Sequence, residues 1–238
     1  MGGQYIEPVP TFAALLDALP GQCSLCRGWG RGALCEACRR GASAPRSRCT
    51  RCAIAVPQGQ PLCGACLREP PPFERTFTAL DYAEPWSGLI RRFKFHGHSE
   101  LAGVFAGLLR EALREASEVD LVLPAPLSDA RLRERGFNQS WELARRLGPR
   151  AEARLLLRVR DTPHQAELPL ERRAANVRGA FAVEPLRRHE VEGKRLAIVD
   201  DVLTSGATAA EMARTLLAAG AAGVQLWVLA RTPAPDGA

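Results

Sequence analysis

Apolar residues after residue 70 fall into short runs that repeat along the chain. These runs cover residues 76–82, 119–123, 155–159, 196–199 and 224–230. The run 196–199 contains no polar residue, which is typical of a parallel strand that is buried on both faces. Between the runs, apolar residues recur at the spacing of an amphipathic helix. The alternation predicts an α/β fold in which helices flank a mostly parallel sheet.

The run 196–199 leads into two carboxylates and a loop of small residues. Asp200 and Asp201 would lie at the carboxyl end of a strand, where open α/β sheets bind ligands. The loop precedes a predicted helix, and N–H groups at a helix start bind anions. We predict a sugar phosphate, with its diol on the acids and its phosphate on the loop. The alternative is an ordinary turn and a helix capped by Thr208. The predicted phosphate ligands are Thr204, Ser205, Gly206, Ala207 and Thr208.

All eight cysteines lie within the first 66 residues, in four Cys-x2-Cys motifs. Two such motifs supply the four thiolates of a tetrahedral zinc site. The pattern therefore predicts two structural Zn²⁺ ions, with sequential and crossed pairing of the motifs both open. The alternative is a disulfide framework, which the absence of an export signal disfavours. The predicted ligands are Cys23, Cys26, Cys35, Cys38, Cys49, Cys52, Cys63 and Cys66.

Three consecutive prolines, residues 70–72, follow the last cysteine motif and predict a stiff connection. We therefore divide the 238 residues into a cysteine module over 1–70 and an α/β domain over 71–238. The segment 12–19 has the spacing of an amphipathic helix and lacks the basic start of a signal peptide. No run is long enough to span a membrane. These features predict a cytoplasmic protein.

The chain is basic, with a net charge of +6 and a pI near 9.1. Such a charge favours polyanionic partners, either a pyrophosphate or a nucleic acid. Eight arginines and only two acidic residues lie between residues 27 and 69. This excess fits a nucleic-acid-binding surface and a solvated basic face equally well.

Two further segments are candidates for binding an anion. The strand predicted over 119–123 ends in a proline-containing loop, and the arginines after it could grip a pyrophosphate. The segment 160–178 lacks a strand pattern, as a lid does. The alternatives are a solvated helix start for the first segment and disorder for the second. The candidate residues are Pro126, Leu127, Arg131, Arg133, Arg135, Arg160, Gln165, Arg173 and Asn176.

The loop after Asp201 resembles the phosphoribosyl pyrophosphate (PRPP) signature of type I phosphoribosyltransferases. The whole chain resembles the ComF family of competence-associated proteins, which includes GntX-type members. The resemblance rests on the ordered motifs, namely the cysteine pairs, 93–95, 121–127, 133–139, the lid residues Arg160, Thr162, Gln165, Arg173, Asn176 and Phe181, and 199–208. It implies a type I phosphoribosyltransferase fold behind a double zinc ribbon.

The resemblance also implies roles for individual residues. Asp200 and Asp201 would hold the ribose hydroxyls, and 204–208 would hold the 5-phosphate. Residues 126–135 would line the pyrophosphate side together with Mg²⁺, and Arg135 with the two acids would form the catalytic set. Family members often have Gly where this chain has Glu167, so its lid differs from theirs.

Two functions follow, from different classes. The first is transfer of a phosphoribosyl group to an acceptor that the sequence does not specify, in DNA uptake or related DNA handling. Its partners would be PRPP, single-stranded DNA and DNA-uptake proteins. The second is a protein that binds nucleic acid or senses PRPP without turnover. The oligomeric state is left open by the sequence.

Overall fold

A computed structural model describes residues 20–42, 46–95, 100–148, 150–162 and 169–234. The helix predicted over 12–19 and the lid residue Gln165 lie outside these ranges. The chain divides into two compact units, the first ending at Gly41 and the second beginning at Ala42. The boundary predicted near residue 70 concerns which parts fold alone, and it stays a prediction.

The first unit contains the first two cysteine motifs. Its strands β1 (Pro20–Gln22) and β2 (Trp29–Arg31) pair antiparallel, with Gly21 opposite Gly30. Helix α1 (Glu36–Ala42) begins between the cysteines of the second motif and continues to the unit boundary. None of its residues is buried.

The second unit is built on a four-stranded parallel sheet. Its strands are β3 (Arg75–Asp81), β4 (Leu121–Pro124), β7 (Arg195–Leu203) and β8 (Gly223–Arg231). Their order in the sheet is β3-β8-β7-β4. All nine residues of β8 are buried, as expected of a central parallel strand that is covered on both faces.

Helices cover this sheet, and one of them follows β7. It buries Ala209, Met212, Ala213 and Leu216, which lie on one face at helical spacing. Strand and helix therefore alternate as predicted, and the α/β class with a mostly parallel sheet is confirmed. The helices of this unit are α2 (Gly64–Arg68), α3 (Trp86–Phe95), α4 (Leu101–Ala112), α5 (Asp129–Arg135), α6 (Gln139–Leu147), α7 (Leu170–Val177) and α8 (Ala207–Ala218), with a 3₁₀ helix over Pro185–Glu190.

One predicted strand does not join the main sheet. The run 155–159 forms β5 (Leu156–Arg158), which pairs antiparallel with β6 (Phe181–Val183) in a separate two-stranded sheet. Leu155 and Leu156 are buried all the same, because they belong to the core that also contains Ile198 and Met212. An apolar run signals burial, but it does not say which sheet a strand joins.

Candidate functional site

The two predicted acids lie inside β7 and do not end it. Asp200 is opposite Val228 of β8, and the pairing continues to Leu203 opposite Arg231. The strand is longer than its apolar run because β8 is equally long and offers a partner throughout. Asp201 is only 8% exposed and Asp200 is partly buried. Both carboxylates are therefore held by rigid backbone near the carboxyl edge of the sheet.

Each acid has a defined partner. Lys94 Nζ, at the end of α3, lies 3.0 Å from Asp201 Oδ1, and both side chains are largely buried. Ser140 Oγ, in α6, donates to Asp200 Oδ1 over 3.1 Å. The same oxygen accepts from the N–H of Asp201 over 2.8 Å. A lysine and a serine thus fix the two carboxylates in different hydrogen-bonding environments.

Burial raises the pKa of Asp200 to about 7, and the charge of Asp201 acts in the same direction. The N–H of Asp201, the charge of Lys94 and the hydroxyl of Ser140 oppose the increase without overcoming it. Close to neutral pH, Asp200 can therefore gain or lose a proton. The pair can carry one or two negative charges, of which Lys94 balances one.

The segment 135–140 positions this network. Asn138 caps α6 by accepting from Trp141 N–H over 3.1 Å, and its amide donates to the carbonyl of Ala125 over 3.0 Å. Gln139 donates to the carbonyl of Lys94 over 3.1 Å. Three successive residues, from Asn138 to Ser140, therefore fasten the loop after β4, the end of α3 and the acid of β7.

Arg135 supports this arrangement from the neighbouring helix. Its Nη1 donates to Gln139 Oε1 over 3.1 Å, and its guanidinium lies 4.9 Å from the centre of the Phe95 ring. The described contacts of Arg135 thus hold the residues that carry Lys94. A direct role of Arg135 in catalysis stays a prediction.

The predicted phosphate loop connects β7 with α8. Gly206 has φ 82° and ψ −3°, a left-handed conformation that a residue with a Cβ adopts at a cost. Helix α8 starts at Ala207, and its first turn closes with Ala210 N–H donating to the carbonyl of Gly206 over 2.8 Å. Thr204 and Ser205 are exposed, while Thr208 lies within this first turn. The loop therefore presents hydroxyl groups beside a helix start, as predicted.

The predicted pyrophosphate residues fall into two groups. Pro126 and Leu127 are partly buried in the loop after β4, and Arg133 is exposed on α5. Arg131 Nη2 donates to the carbonyl of Thr162 over 3.3 Å. Within α5, Arg131 thus faces the segment after β5, whereas Arg133 is directed to solvent. Whether these residues bind a ligand is untested, so their roles stay predictions.

A second arginine converges on Thr162. Arg158 Nη2 donates to Thr162 Oγ1 over 2.5 Å, and its guanidinium lies 5.4 Å from the centre of the Phe181 ring. Burial lowers the pKa of Arg158, and the charge of Arg131 lowers it further. Two like charges that share one threonine form a cationic cluster suited to a polyvalent anion.

The lid residues are only partly described. Arg160 Nη2 donates to the carbonyls of Asn176 and Arg178 over 3.0 and 2.5 Å, so it holds the end of α7. Arg173 is half-buried on the same helix. Closure of this segment over a ligand stays a prediction.

Sequence reasoning missed three polar residues of the site, namely Lys94, Ser140 and Arg158. One signal could have identified Lys94, because it is one of two lysines in a chain whose other basic residues are arginines. Ser140 and Arg158 had no comparable signal. They reach the acids and Thr162 only through the packing of α6 and β5.

The eight cysteines form two groups, and the pairing is sequential. Within each group all four sulfurs lie within 4.8 Å of one another, and all eight are free thiols. The Sγ atoms of Cys26 and Cys35 are 3.7 Å apart, as are those of Cys52 and Cys63. A disulfide would require about 2.05 Å, whereas these spacings suit a metal ion shared by four thiolates. The first cluster contains Cys23, Cys26, Cys35 and Cys38, and the second contains Cys49, Cys52, Cys63 and Cys66.

One thiol of each cluster has a pKa below the usual value. Burial raises the pKa of Cys23, but the N–H groups of Cys26, Cys35 and Leu25 outweigh burial and bring the pKa to about 6. In the second cluster, the same balance brings the pKa of Cys49 to about 7. Burial raises the pKa of Cys38 to about 12, and it also raises the pKa of Cys66. Since thiolates are the metal-binding form, Cys23 and Cys49 are the thiols of this set that ionise first when a cation binds.

A parallel sheet with two acids near the carboxyl end of a strand, followed by a loop of small hydroxylic residues and a helix, is typical of a type I phosphoribosyltransferase domain. The sequence profile of the phosphoribosyl transferase domain family matches residues 93–237. The chain belongs to this family.

Relatives that match most of the chain narrow the class of protein further. The DNA utilization protein YhgH of Escherichia coli O6:H1 is 39% identical over 90% of this chain and 98% of its own length. Competence protein F of Haemophilus influenzae is 31% identical over 88% of this chain and 96% of its own. Competence protein ComFC of Bacillus subtilis is 29% identical over 63% of this chain and 62% of its own. These relatives confirm the resemblance to the ComF family.

Among the described residues, no helix combines the length and the apolar character that crossing a bilayer requires.

Proposed function

We propose that the protein binds PRPP, with the 5-phosphate on residues 204–208 and the ribose hydroxyls on Asp200 and Asp201. One observation carries the proposal: the acids lie at the end of β7 and the loop follows directly after Leu203, so that their order along one segment keeps them close together. Carboxylates accept hydrogen bonds from a diol, while the helix start and left-handed Gly206 favour a phosphate. A sugar phosphate satisfies both parts of the site.

The diphosphate would lie toward Arg131 and Arg158. Their shared contact with Thr162 concentrates positive charge, which neutralises a leaving pyrophosphate. Mg²⁺ would supply further charge neutralisation when bound. Arginines do not ligate a cation, so diphosphate oxygens and water would hold most of the Mg²⁺, and residues 126–135 would lie beside it.

The reaction would be substitution at the anomeric carbon of the ribose. The bond to pyrophosphate breaks, a bond to the acceptor forms, and positive charge develops on the sugar in between. Asp200 and Asp201 would orient the ring through its hydroxyls, and a closed segment 160–178 would exclude water. From the names of its relatives, we propose that this chemistry or this binding serves DNA handling in the cytoplasm.

We further propose that each cysteine cluster holds one Zn²⁺ ion. With Zn–S bonds of about 2.3 Å, a tetrahedral site separates its sulfurs by about 3.8 Å, close to the 3.7 Å described above. Metal analysis of the purified protein should therefore give about two zinc ions per chain. A zinc content near zero, with four disulfides by mass, would overturn this proposal.

The double variant Asp200→Asn and Asp201→Asn tests the diol site. Charged acceptors contribute roughly 1.5–3 kcal/mol per hydrogen bond, so PRPP affinity should fall on the order of a hundredfold. Asp120→Asn is the control, because Asp120 lies just before β4, where its carboxylate accepts from Arg195 N–H. Titration calorimetry with PRPP and Mg²⁺ measures both proteins.

Whether PRPP binds more weakly or more tightly to the double variant separates two interpretations of the acids. Removing negative charge should strengthen the binding of any ligand that is held by phosphate alone. Weaker PRPP binding, with unchanged or tighter binding of single-stranded DNA, supports the diol site. Tighter binding of both ligands would mean that the acids only repel anions.

Turnover needs a separate measurement. A transferase releases pyrophosphate from PRPP when its acceptor is present, whereas a sensor binds PRPP without releasing it. Pyrophosphate release should therefore be followed with and without single-stranded DNA. PRPP binding without release under either condition favours the sensing function.

A further inference from the structure

A buried arginine at the end of β8 connects the second cysteine cluster with the phosphate loop. Arg231 is 8% exposed, and its Nε donates to the carbonyl of Cys52 over 2.9 Å. Its Nη1 donates to the carbonyls of Leu203 and Thr204 over 3.0 and 2.7 Å. It also donates to the carbonyl of Thr232 over 2.8 Å. Among the residues that the structure describes, no carboxylate forms an ion pair with Arg231, so carbonyls solvate its charge.

The Cys52 end of this connection is part of the metal-binding turn. Three successive carbonyls of that turn accept from sheet residues: Thr50 from Thr76 N–H over 3.0 Å, Arg51 from Thr76 Oγ1 over 2.5 Å, and Cys52 from Arg231. The turn is therefore bonded to β3 and to β8. A metal ion that fixes Cys49 and Cys52 also fixes the carbonyl that Arg231 binds.

The other end controls the orientation of the phosphate loop. The C=O and N–H groups of a trans peptide point in opposite directions. A guanidinium that holds the carbonyls of Leu203 and Thr204 therefore turns the N–H groups of Thr204 and Ser205 away from itself. These two N–H groups belong to the loop that the proposed function assigns to the 5-phosphate. The carbonyl of Leu203 also accepts from Thr232 N–H over 3.0 Å, so the direction of Thr204 N–H has a second support. The described partner of the Thr204 carbonyl is Arg231, which thus sets the direction of Ser205 N–H without contacting the anion.

A cavity beside Arg231 leaves room for its side chain to move. A cavity of about 550 Å³ lies between the second cluster and the loop, and its lining includes Cys52, Cys66, Ser205 and Arg231. Arg231 spans from one side of this cavity to the other through its hydrogen bonds. If the turn at Cys52 moved, a buried guanidinium would lose an acceptor, which is costly, and it would shift to recover one.

We propose that Arg231 is a positioning residue through which the metal of the second cluster sets the affinity of residues 204–208 for a phosphate ester. The proposal rests on the proposed function for its ligand, PRPP. The loop geometry itself has a readout that needs no ligand. Loss of metal from the second cluster frees the carbonyl of Cys52, Arg231 then releases the carbonyl of Thr204, and Ser205 N–H loses its fixed direction.

A double-mutant cycle tests this coupling. Arg231→Lys keeps the charge but cannot donate to both sides of the cavity. Cys66→Ser weakens metal binding in the second cluster without changing Cys52. Each single variant should weaken PRPP binding at least tenfold and speed hydrogen exchange in a peptide over 203–208. The double variant should be no worse than the more severe single variant, because both changes break one connection.

Two matched variants control the cycle. Arg214→Lys changes an arginine that lines the same cavity but pairs with Glu211 over 2.9 Å. Cys38→Ser weakens the first cluster instead of the second. Neither should change PRPP affinity or exchange at 203–208 by more than twofold. Zinc content, measured for every variant, shows which cluster has lost its ion.

The outcomes separate this inference from the proposed function. Additive losses, about a hundredfold in the double variant, would mean that Arg231 and the metal act independently, and the coupling would be wrong. If unaltered protein does not bind PRPP, the proposed function fails, while the exchange cycle still tests the coupling. If Arg231→Lys does not fold, exchange at 203–208 is compared between Cys66→Ser and Cys38→Ser, and equal rates overturn the coupling.

Discussion

The two cysteine clusters use the same ligands in different structural settings. In the first, Cys23 N–H donates to Gly28 and Ser24 N–H to Ala33, so these bonds close the cluster on its own unit. In the second, the turn at 49–52 is bonded to β3 and β8 of the main sheet. Identical sets of four cysteines can therefore belong to a separate unit in one place and to the unit of the parallel sheet in another.

This difference teaches that a metal motif alone does not define a domain. A four-cysteine site fixes its own two turns, but what those turns touch decides how far the effect extends. The second cluster shares a unit with the acidic pair and the phosphate loop. Loss of metal from the second cluster should therefore disturb the acidic pair and the phosphate loop. Loss of metal from the first cluster should disturb only the first unit.

The largest expected effect comes from removing the most buried thiol of each cluster. Cys23 and Cys49 are 1% and 0% exposed, and each is the first cysteine of its cluster. Cys49→Ser should lower the unfolding free energy of the sheet unit by about 4 kcal/mol, the range in which loss of a structural metal falls. Cys23→Ser should leave that unit within about 0.5 kcal/mol of the unaltered protein.

Hydrogen exchange of β3, β7 and β8 measures both cysteine variants, because their amides report opening of the whole sheet. Equal loss of protection in the two proteins would show that the clusters belong to one folding unit. The comparison drawn above would then be wrong.

A smaller effect concerns the acid in the unit of the second cluster. The pKa of Asp200 is raised to about 7, so the folded state holds this proton more tightly than the unfolded chain does. Its stabilising contribution is present at low pH and is lost as the pH rises toward and through 7. Between pH 6 and 8, the sheet unit should lose roughly 1 kcal/mol relative to Asp200→Asn, which does not titrate.

Urea unfolding of both proteins at several pH values, in zinc-containing buffer, measures this difference. Exchange of amides in residues 20–41 should show no difference between the two proteins at any pH. Parallel pH curves for unaltered protein and variant would contradict the raised pKa.

A further effect of similar size isolates one bond between the second cluster and the sheet. Thr76 is 6% exposed, and its hydroxyl donates to the carbonyl of Arg51. Thr76→Val keeps the shape and removes this bond, so the unfolding free energy should fall by about 1 kcal/mol. Exchange at residues 49–52 should become faster.

Thr78→Val is the matched control for this bond, because Thr78 lies on the same strand and its hydroxyl donates to the carbonyl of Leu80 over 3.2 Å. Hydrogen exchange at residues 49–52 of the Thr78→Val variant should match that of unaltered protein. If both variants speed exchange there equally, the strand as a whole, and not the bond to the turn, holds the second cluster.

Much of the fold could be predicted from local patterns. The apolar run 196–199 predicted β7, and the helical spacing after it predicted α8. Burial of a strand or of one helix face requires apolar residues at regular positions, and this pattern is visible in the sequence. The spacing of the cysteines likewise predicted two clusters. The loop with Gly206 was recognisable because its residue types follow from its backbone and its chemistry.

The sequence by itself thus determined the α/β class, the two sets of four cysteines and the order in which the acids of β7 precede the loop. Tertiary structure decided the rest: sequential pairing of the motifs, the antiparallel pairing of β5, and the approach of Lys94, Ser140 and Arg231 to their partners. Arg231 lies 179 residues beyond Cys52. Local residue patterns record burial and spacing, whereas contacts over such separations depend on how strands and helices pack.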